Sequence, residues 1–194
     1  MGRPDDPEES DRVLGQELSG LGYPDLFLRL DETTVDQIWR RPGAPEALRR
    51  LALASNAPPL SRFLAAEVLF TRDPVYPAPA ERAALARLYG EALRGNLVGM
   101  ANPWGLPGDL DAPVARHVRA LGDVAVPAFA ALLDDGTPLR YGGSKEATYG
   151  NSYDYRVKDE AAELIAESIG VPYQIHLDPR DRDAEIERLR QRLP

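Results

Sequence analysis

The chain has 194 residues with no cysteine, two histidines and two methionines, and only 7% of its residues are aromatic. Without cysteine there is no disulfide framework, no thiolate zinc site and no cysteine nucleophile, although the compartment is not decided by that absence. His117 and His176 are far apart, and neither sits in an H-x-x-x-H or H-E-x-x-H spacing. No histidine metal centre is expected from such a pattern, and no cofactor is implied. A Gly-x-Ser-x-Gly elbow is missing too, and Gly142-Gly143-Ser144-Lys145 has the composition of a phosphate loop without its spacing or its preceding strand. No apolar run approaches the ~18 residues of a membrane span. The first ten residues have neither the basic flank nor the apolar stretch of a signal peptide. As written, the chain is expected in the cytoplasm, unless an export or lipoprotein leader has been removed ahead of Met1-Gly2.

What is present is acidic and rich in helix formers. There are 31 Asp and Glu against 23 Lys and Arg, a formal net charge of −8. That balance repels phosphate backbones and anionic membranes, so nucleic acid is not an expected partner. The 43% of hydrophobic residues suffices for one core, so a single domain is expected over residues 11–194. Residues 1–10 hold Asp5, Asp6, Glu8 and Glu9 against Arg3, with two prolines and no apolar spacing, and read as a disordered acidic tail.

Apolar periodicity gives a string of helices. Short helices and turns fit Val13–Trp39. Pro45 opens a helix ending near Ala54; Ser61 is a candidate N-cap for the next, which stops before Asp73-Pro74; Pro79 opens a third that leaves at Gly95-Asn96. Residues 96–112, with three Gly and two Pro, read as a loop. Pro113–Leu121 and Val124–Leu133 follow as short helices, then an irregular stretch from Asp134 to Asp154. Tyr155–Ile169 has apolar residues at i+4 spacing and Gly170 as its stop, and the last helix is capped by Asp178 with Pro179 at N1. No stretch alternates as a strand does.

Two of these helices share a motif. Ser61-Arg-Phe-Leu-Ala-Ala-Glu-Val-Leu69 and Val157-Lys-Asp-Glu-Ala-Ala-Glu-Leu-Ile165 both read x-basic-x-x-Ala-Ala-Glu-x-apolar. Small Ala-Ala pairs let a neighbouring helix approach closely. The second copy follows Val126-Pro-Ala-Phe-Ala-Ala-Leu-Leu-Asp-Asp135, and a helix that begins Val-Pro, ends Leu-Leu-x-Asp and precedes Val-basic-x-x-Ala-Ala resembles a HEAT repeat. The likeness spans roughly residues 44–170, and the stretch from Asn102 to Gly170 is similar to uncharacterised bacterial HEAT-like proteins. It implies an all-α fold in which antiparallel helix pairs stack as a short α-solenoid with two long loop insertions. It also implies core or turn positions for Pro127, Leu132 and Leu133, and an ion pair between Asp135 and Lys158. Lys158 stands where Arg is usual, and 22 residues separate it from Asp135 where the family has a short turn.

That 136–156 insertion is the first candidate site. Tyr141, Tyr149, Tyr153 and Tyr155 are four of the eight tyrosines within 15 residues, interleaved with Arg140, Lys145, Asn151 and Arg156. Tyr, Arg and Asn with Gly and Ser give contact area at low entropic cost, as in a paratope. Two readings fit: rings that pin the loop onto its own helices, and rings that meet a partner. The 98–110 loop, with Asn102, Trp104, Asp109 and Asp111, is the second candidate, Trp104 being either a hot spot or a cover for the neighbouring helices. If both loops leave the same edge they form one site. Asp109 with Asp111, and Asp134 with Asp135, read as caps and solvated turns, and His117 as a packing or surface residue.

The functional expectation is a non-enzymatic module that binds a protein partner through Trp104, Arg140, Tyr141, Tyr149, Asn151, Tyr153, Tyr155 and Arg156. The alternative is a small enzyme, or a binder of a small ligand or sugar, with its site between the same loops and Asp109, His176 or Arg156 as polar groups.

Overall fold

A computed structural model describes residues 7–29, 33–98, 102–142 and 145–193. Residues 1–6 of the expected tail, 99–101 of the Trp104 loop and 143–144 of the insertion lie outside the described residues. The fold is all-α, and the β pairing among the described residues amounts to two isolated bridges, Leu106 with Asp109 and Pro138 with Arg156. Its contacts divide the chain into two compact units, one up to Leu88 and one from Tyr89 onward.

The first unit contains α1 (Pro7–Tyr23), α2 (Thr33–Trp39), α3 (Ala44–Leu53) and α4 (Pro59–Arg72), and α5 (Arg82–Arg94) crosses the boundary. Pro7 to Ser10, read from composition as tail, form the first turn of α1. The helix kinks at Gly22, whose φ of 69° only glycine adopts readily, and Pro24–Leu28 then make a π turn that buries Leu26. α1 packs on α3 and α4, which pack on each other. Gly15 lies at this contact, where a Cβ would stand at ordinary van der Waals distance, 3.4 Å, from both Leu51 and Ser61. Ser61 is not the N-cap of α4: Pro59 enters the first turn and Pro58 precedes it, so the helix starts earlier. Buried inside α4, Ser61 instead donates its hydroxyl to the Gly15 carbonyl at 3.0 Å and meets the Ser19 hydroxyl at 2.7 Å. The third expected helix, α5, starts at Arg82 and not at Pro79. A turn precedes it, in which the Ala78 N–H donates to the Glu81 carboxylate at 2.8 Å.

The second unit holds α6 (Pro113–Leu121), a 3-10 turn (Gly122–Ala125), α7 (Val126–Ala130), α8 (Lys145–Ser152), α9 (Val157–Ile169) and α10 (Pro179–Arg190). α8 lies in the stretch expected to be irregular. At the centre is α9, which packs against α6, the 3-10 turn, α7 and α10. Its Val157, Ala161, Ala162, Leu164 and Ile165 are buried, and Gly170 ends it with φ 69°. The start of α10 is as expected, with the Asp178 carboxylate accepting from the Arg180 N–H at 2.8 Å.

Ala162 is completely buried in α9. Ala162→Leu is expected to destabilise the protein by about 1–3 kcal/mol through overpacking, read as a lower urea midpoint. An unchanged midpoint would mean that α9 tolerates larger side chains than its burial implies.

Candidate functional site

The insertion is closed at its base by main-chain hydrogen bonds. Lys158 N–H donates to the Asp135 carbonyl at 3.0 Å, Val157 N–H to Thr137 at 3.0 Å, and Leu139 N–H to Tyr155 at 2.8 Å. Asp135 and Lys158 therefore meet across the insertion through backbone, but not as the ion pair that the repeat pattern implies. The Asp135 carboxylate accepts from the Thr137 N–H at 3.0 Å and lies 3.6 Å from Arg94, while Lys158 pairs with Asp183 at 2.8 Å.

Above this base the loop is braced from inside. Tyr141 is buried and covers Gly150, where a Cβ would come within 2.3 Å of its ring. Asn151 clamps the Tyr141 backbone from both sides, its amide donating to the carbonyl at 2.9 Å and its oxygen accepting from the N–H at 3.1 Å. Tyr155 is buried edge-on to Tyr141 at 6.5 Å, and Tyr153 packs on it at 5.8 Å.

The strongest brace comes from α10. Arg182 has no exposed side-chain surface, and neither does Asp159, whose carboxylate lies 3.2 Å from Arg182 Nε. The two terminal nitrogens of Arg182 donate to four carbonyls: Tyr153 at 2.8 Å, Asp154 at 3.2 Å, and His176 and Leu177 at 3.1 Å each. The guanidinium also stands 5.0 Å over the Tyr155 ring. Asp159 in turn accepts from the Arg156 N–H at 2.9 Å, which closes the first turn of α9, and holds the Arg156 guanidinium at 2.7 Å.

Of the residues expected to meet a partner, these contacts turn most inward. Trp104 is 5% exposed, edge-on to Tyr89 at 6.3 Å, and covers its own helices. Tyr141 and Tyr155 are buried anchors, Asn151 is a backbone clamp, Tyr153 is half-buried, and Arg156 is held by Asp159 and Asp183. The physical reason is that a long loop needs internal contacts to be ordered, and its rings are the largest apolar groups it has. Arg140 is exposed, and Tyr149 is 56% exposed. Of the polar groups in the alternative reading, Asp109 is exposed, Arg156 is committed to two carboxylates, and His176 Nε2 lies 3.9 Å from Glu185 while Asp178 caps α10.

The two loops do converge. Asn102 and Trp104 from one, and Leu139, Arg140 and Tyr141 from the other, line a recess with Leu93, Asn96 and Glu160. Its free space is about 10 Å³, the size of one water. Glu160 is 1% exposed and its Oε1 has no hydrogen-bond partner; neither does the buried Tyr141 hydroxyl. Burial pushes the Glu160 carboxyl well above the ordinary range, with Glu163 adding to the effect. The Trp104 loop is tied to α9 by Glu163, which accepts from the Gly108 N–H at 2.7 Å, and to α6 by Arg119, which donates to the Leu110 carbonyl at 2.9 Å. Burial raises the Glu163 carboxyl to about 7 despite that hydrogen bond.

Glu160 and Arg182 escaped the sequence reading. Each occupies an apolar-stripe position, Glu160 between Val157 and Leu164 and Arg182 one turn before Ile186, and a charge at such a position is the signal available.

Among the described residues, no three His, Asp or Glu side chains gather as metal ligands, and no helix is long and apolar enough to cross a membrane. No family model, curated protein or solved structure matches the chain.

Two outcomes are expected. Arg182→Ala leaves four carbonyls without their donor and the buried Asp159 with Arg156 as its remaining guanidinium partner, and should cost about 3–5 kcal/mol of stability in denaturant unfolding; a loss near zero would remove Arg182 from the role of brace. Glu163 binds its proton more tightly in the folded state, about 7 against 4.5, so its contribution favours folding below pH 4.5 and is lost as the pH rises through 7. Glu163→Gln keeps an oxygen for Gly108, and should flatten the fall in stability between pH 5 and 7.5 measured against the parent protein. An identical pH profile for the two proteins would contradict this.

Proposed function

We propose that the chain is a non-catalytic helical-repeat module that binds another protein, with Tyr149 and Arg140 at the contact surface. The observation that carries this reading is the bracing of the 136–156 insertion. A fully buried arginine, a clamping asparagine and two buried tyrosines hold a surface loop that leaves the Tyr149 ring 56% exposed. A loop held from beneath presents its exposed side chains without an ordering cost at the moment of binding, and exposed tyrosine and arginine on one loop are residue types of a hot spot. The pairing of α3 with α4, and of α7 with α9, supports the HEAT-like reading, because α4 and α9 carry the repeated Ala-Ala motif. Helical-repeat proteins offer broad rigid surfaces of this kind.

The test is affinity capture from the native host, followed by binding of the recovered partner to intact protein and to Tyr149→Ala. The substitution is expected to weaken binding by about 1–2 kcal/mol, roughly five- to thirty-fold, with the melting temperature unchanged. Tyr153→Ala, which removes a ring packed on Tyr155, should lower the melting temperature. The opposite pattern, stability lost at Tyr149 with capture intact, would move the binding surface to the helix faces.

A further inference from the structure

The recess between the two loops combines features that the partner-binding reading does not use. Its floor has two buried polar atoms without partners, Glu160 Oε1 and the Tyr141 hydroxyl, beside the Trp104 ring. Its rim has the exposed side chains of Asn96 and Arg140, with Asn102 half-buried between rim and floor. We propose that this recess binds a primary ammonium group, with Glu160 as counter-charge and the Tyr141 hydroxyl as a second acceptor.

The chemistry is set by size and charge. Space for one heavy atom excludes a sugar ring or a carboxylate at the floor and admits a single –NH3+ nitrogen. That nitrogen brings three donors to a site whose unpartnered atoms include a carboxyl oxygen and a phenol oxygen, both able to accept. A divalent metal would find one carboxylate where it needs several hard ligands. Trp104 and Tyr141 supply the aromatic walls that favour an ammonium cation. The exposed Arg140 guanidinium at the rim disfavours ligands carrying more than one positive charge.

Binding is coupled to a proton. The charged neighbour of Glu160 is Glu163 on the same helix and the titratable neighbour across the recess is Tyr141, while Arg140 on the insertion lines the same recess. Without a cation, burial favours the protonated form of the Glu160 carboxyl. When R–NH3+ enters, that proton leaves to solvent and the carboxylate faces the ammonium. Affinity therefore rises with pH, by up to about tenfold per unit while the free carboxyl stays protonated. The proposal does not depend on the partner-binding reading, since Tyr149 is not among the recess residues.

The experiment is calorimetry on the full chain with methylammonium chloride at constant ionic strength, with tetramethylammonium chloride as the size control, at pH 6, 7 and 8. A small cation of two heavy atoms is expected to bind at about 10 mM. Binding should tighten with pH and release a proton, as shown by a heat that depends on the buffer, and tetramethylammonium should not bind. Nα-acetyl-lysine methylamide is the second arm: tighter binding than methylammonium identifies a lysine side chain as the source of the group, and weaker binding identifies a free amine. Glu160→Gln should weaken binding at least tenfold and Tyr141→Phe several-fold, while Glu163→Gln retains it. Equal responses to methylammonium and tetramethylammonium, or undiminished binding in both Glu160→Gln and Tyr141→Phe, would overturn the proposal, as would no response at all, which leaves the recess with a bridging water alone.

Discussion

The second unit depends on one buried ion pair. Removing a guanidinium and a carboxylate from water costs several kcal/mol for each ion, and the attraction between them repays this only when their remaining hydrogen-bonding groups are also used. Arg182 and Asp159 meet much of that condition, the Arg182 Nε lying 3.2 Å from the carboxylate without a hydrogen bond of its own. The terminal nitrogens of Arg182 take carbonyls from two separate segments, 153–154 and 176–177, and Asp159 completes the first turn of α9. Asp154, whose φ of 49° is left-handed, is fixed by the same guanidinium. One centre thus sets where the insertion ends, where α9 begins and how the segment ahead of α10 turns.

The acids of α9 divide the labour around that centre. Asp159 serves the insertion, Glu160 the recess, Glu163 the Trp104 loop through Gly108, and Glu167 the α6 side through Arg119 at 2.9 Å. Several of the charges that make the chain acidic are therefore internal tethers, not solvated surface. This weakens any inference from net charge to surface potential, because a carboxyl raised by burial is neutral over much of the pH range in which the formal count treats it as ionised.

Much of the helical architecture was legible because it is local. Gly170 and Asp178-Pro179 fix helix ends by chemistry contained in a few residues, and both behave as read. Ser61 was misread because a serine before an apolar run has the chemistry of an N-cap, while Pro58-Pro59 three residues earlier already supplied a start. α8 was invisible: Gly150, Asn151 and Ser152 argue against helix, and what holds that segment is Tyr141, reaching across the loop to Gly150 and Asn151. The tyrosines show the limit most clearly. A ring that anchors a loop and a ring that meets a partner have the same composition and spacing, and only the tertiary positions of Gly150 and Arg182 separate Tyr141 and Tyr155 from Tyr149. Glu160 and Arg182 stand on apolar stripes, and a charge there carries no local signal of burial because most charged side chains are solvated.

The closed base of the insertion has a mechanical consequence. The carbonyl of Asp135 and the amide of Lys158 are already joined, so α7 and α9 are linked by the shortest path whatever lies between them in sequence. Of the 22 intervening residues, those near the base, Tyr153 to Val157, are bound to Arg182, Asp159 and the core of α9, whereas Tyr149 farther along the loop stands exposed. The register of α7 and α9 is therefore held by main-chain bonds that use no side chain of the tip, so a change of side chain at Thr148 or Tyr149 leaves it in place.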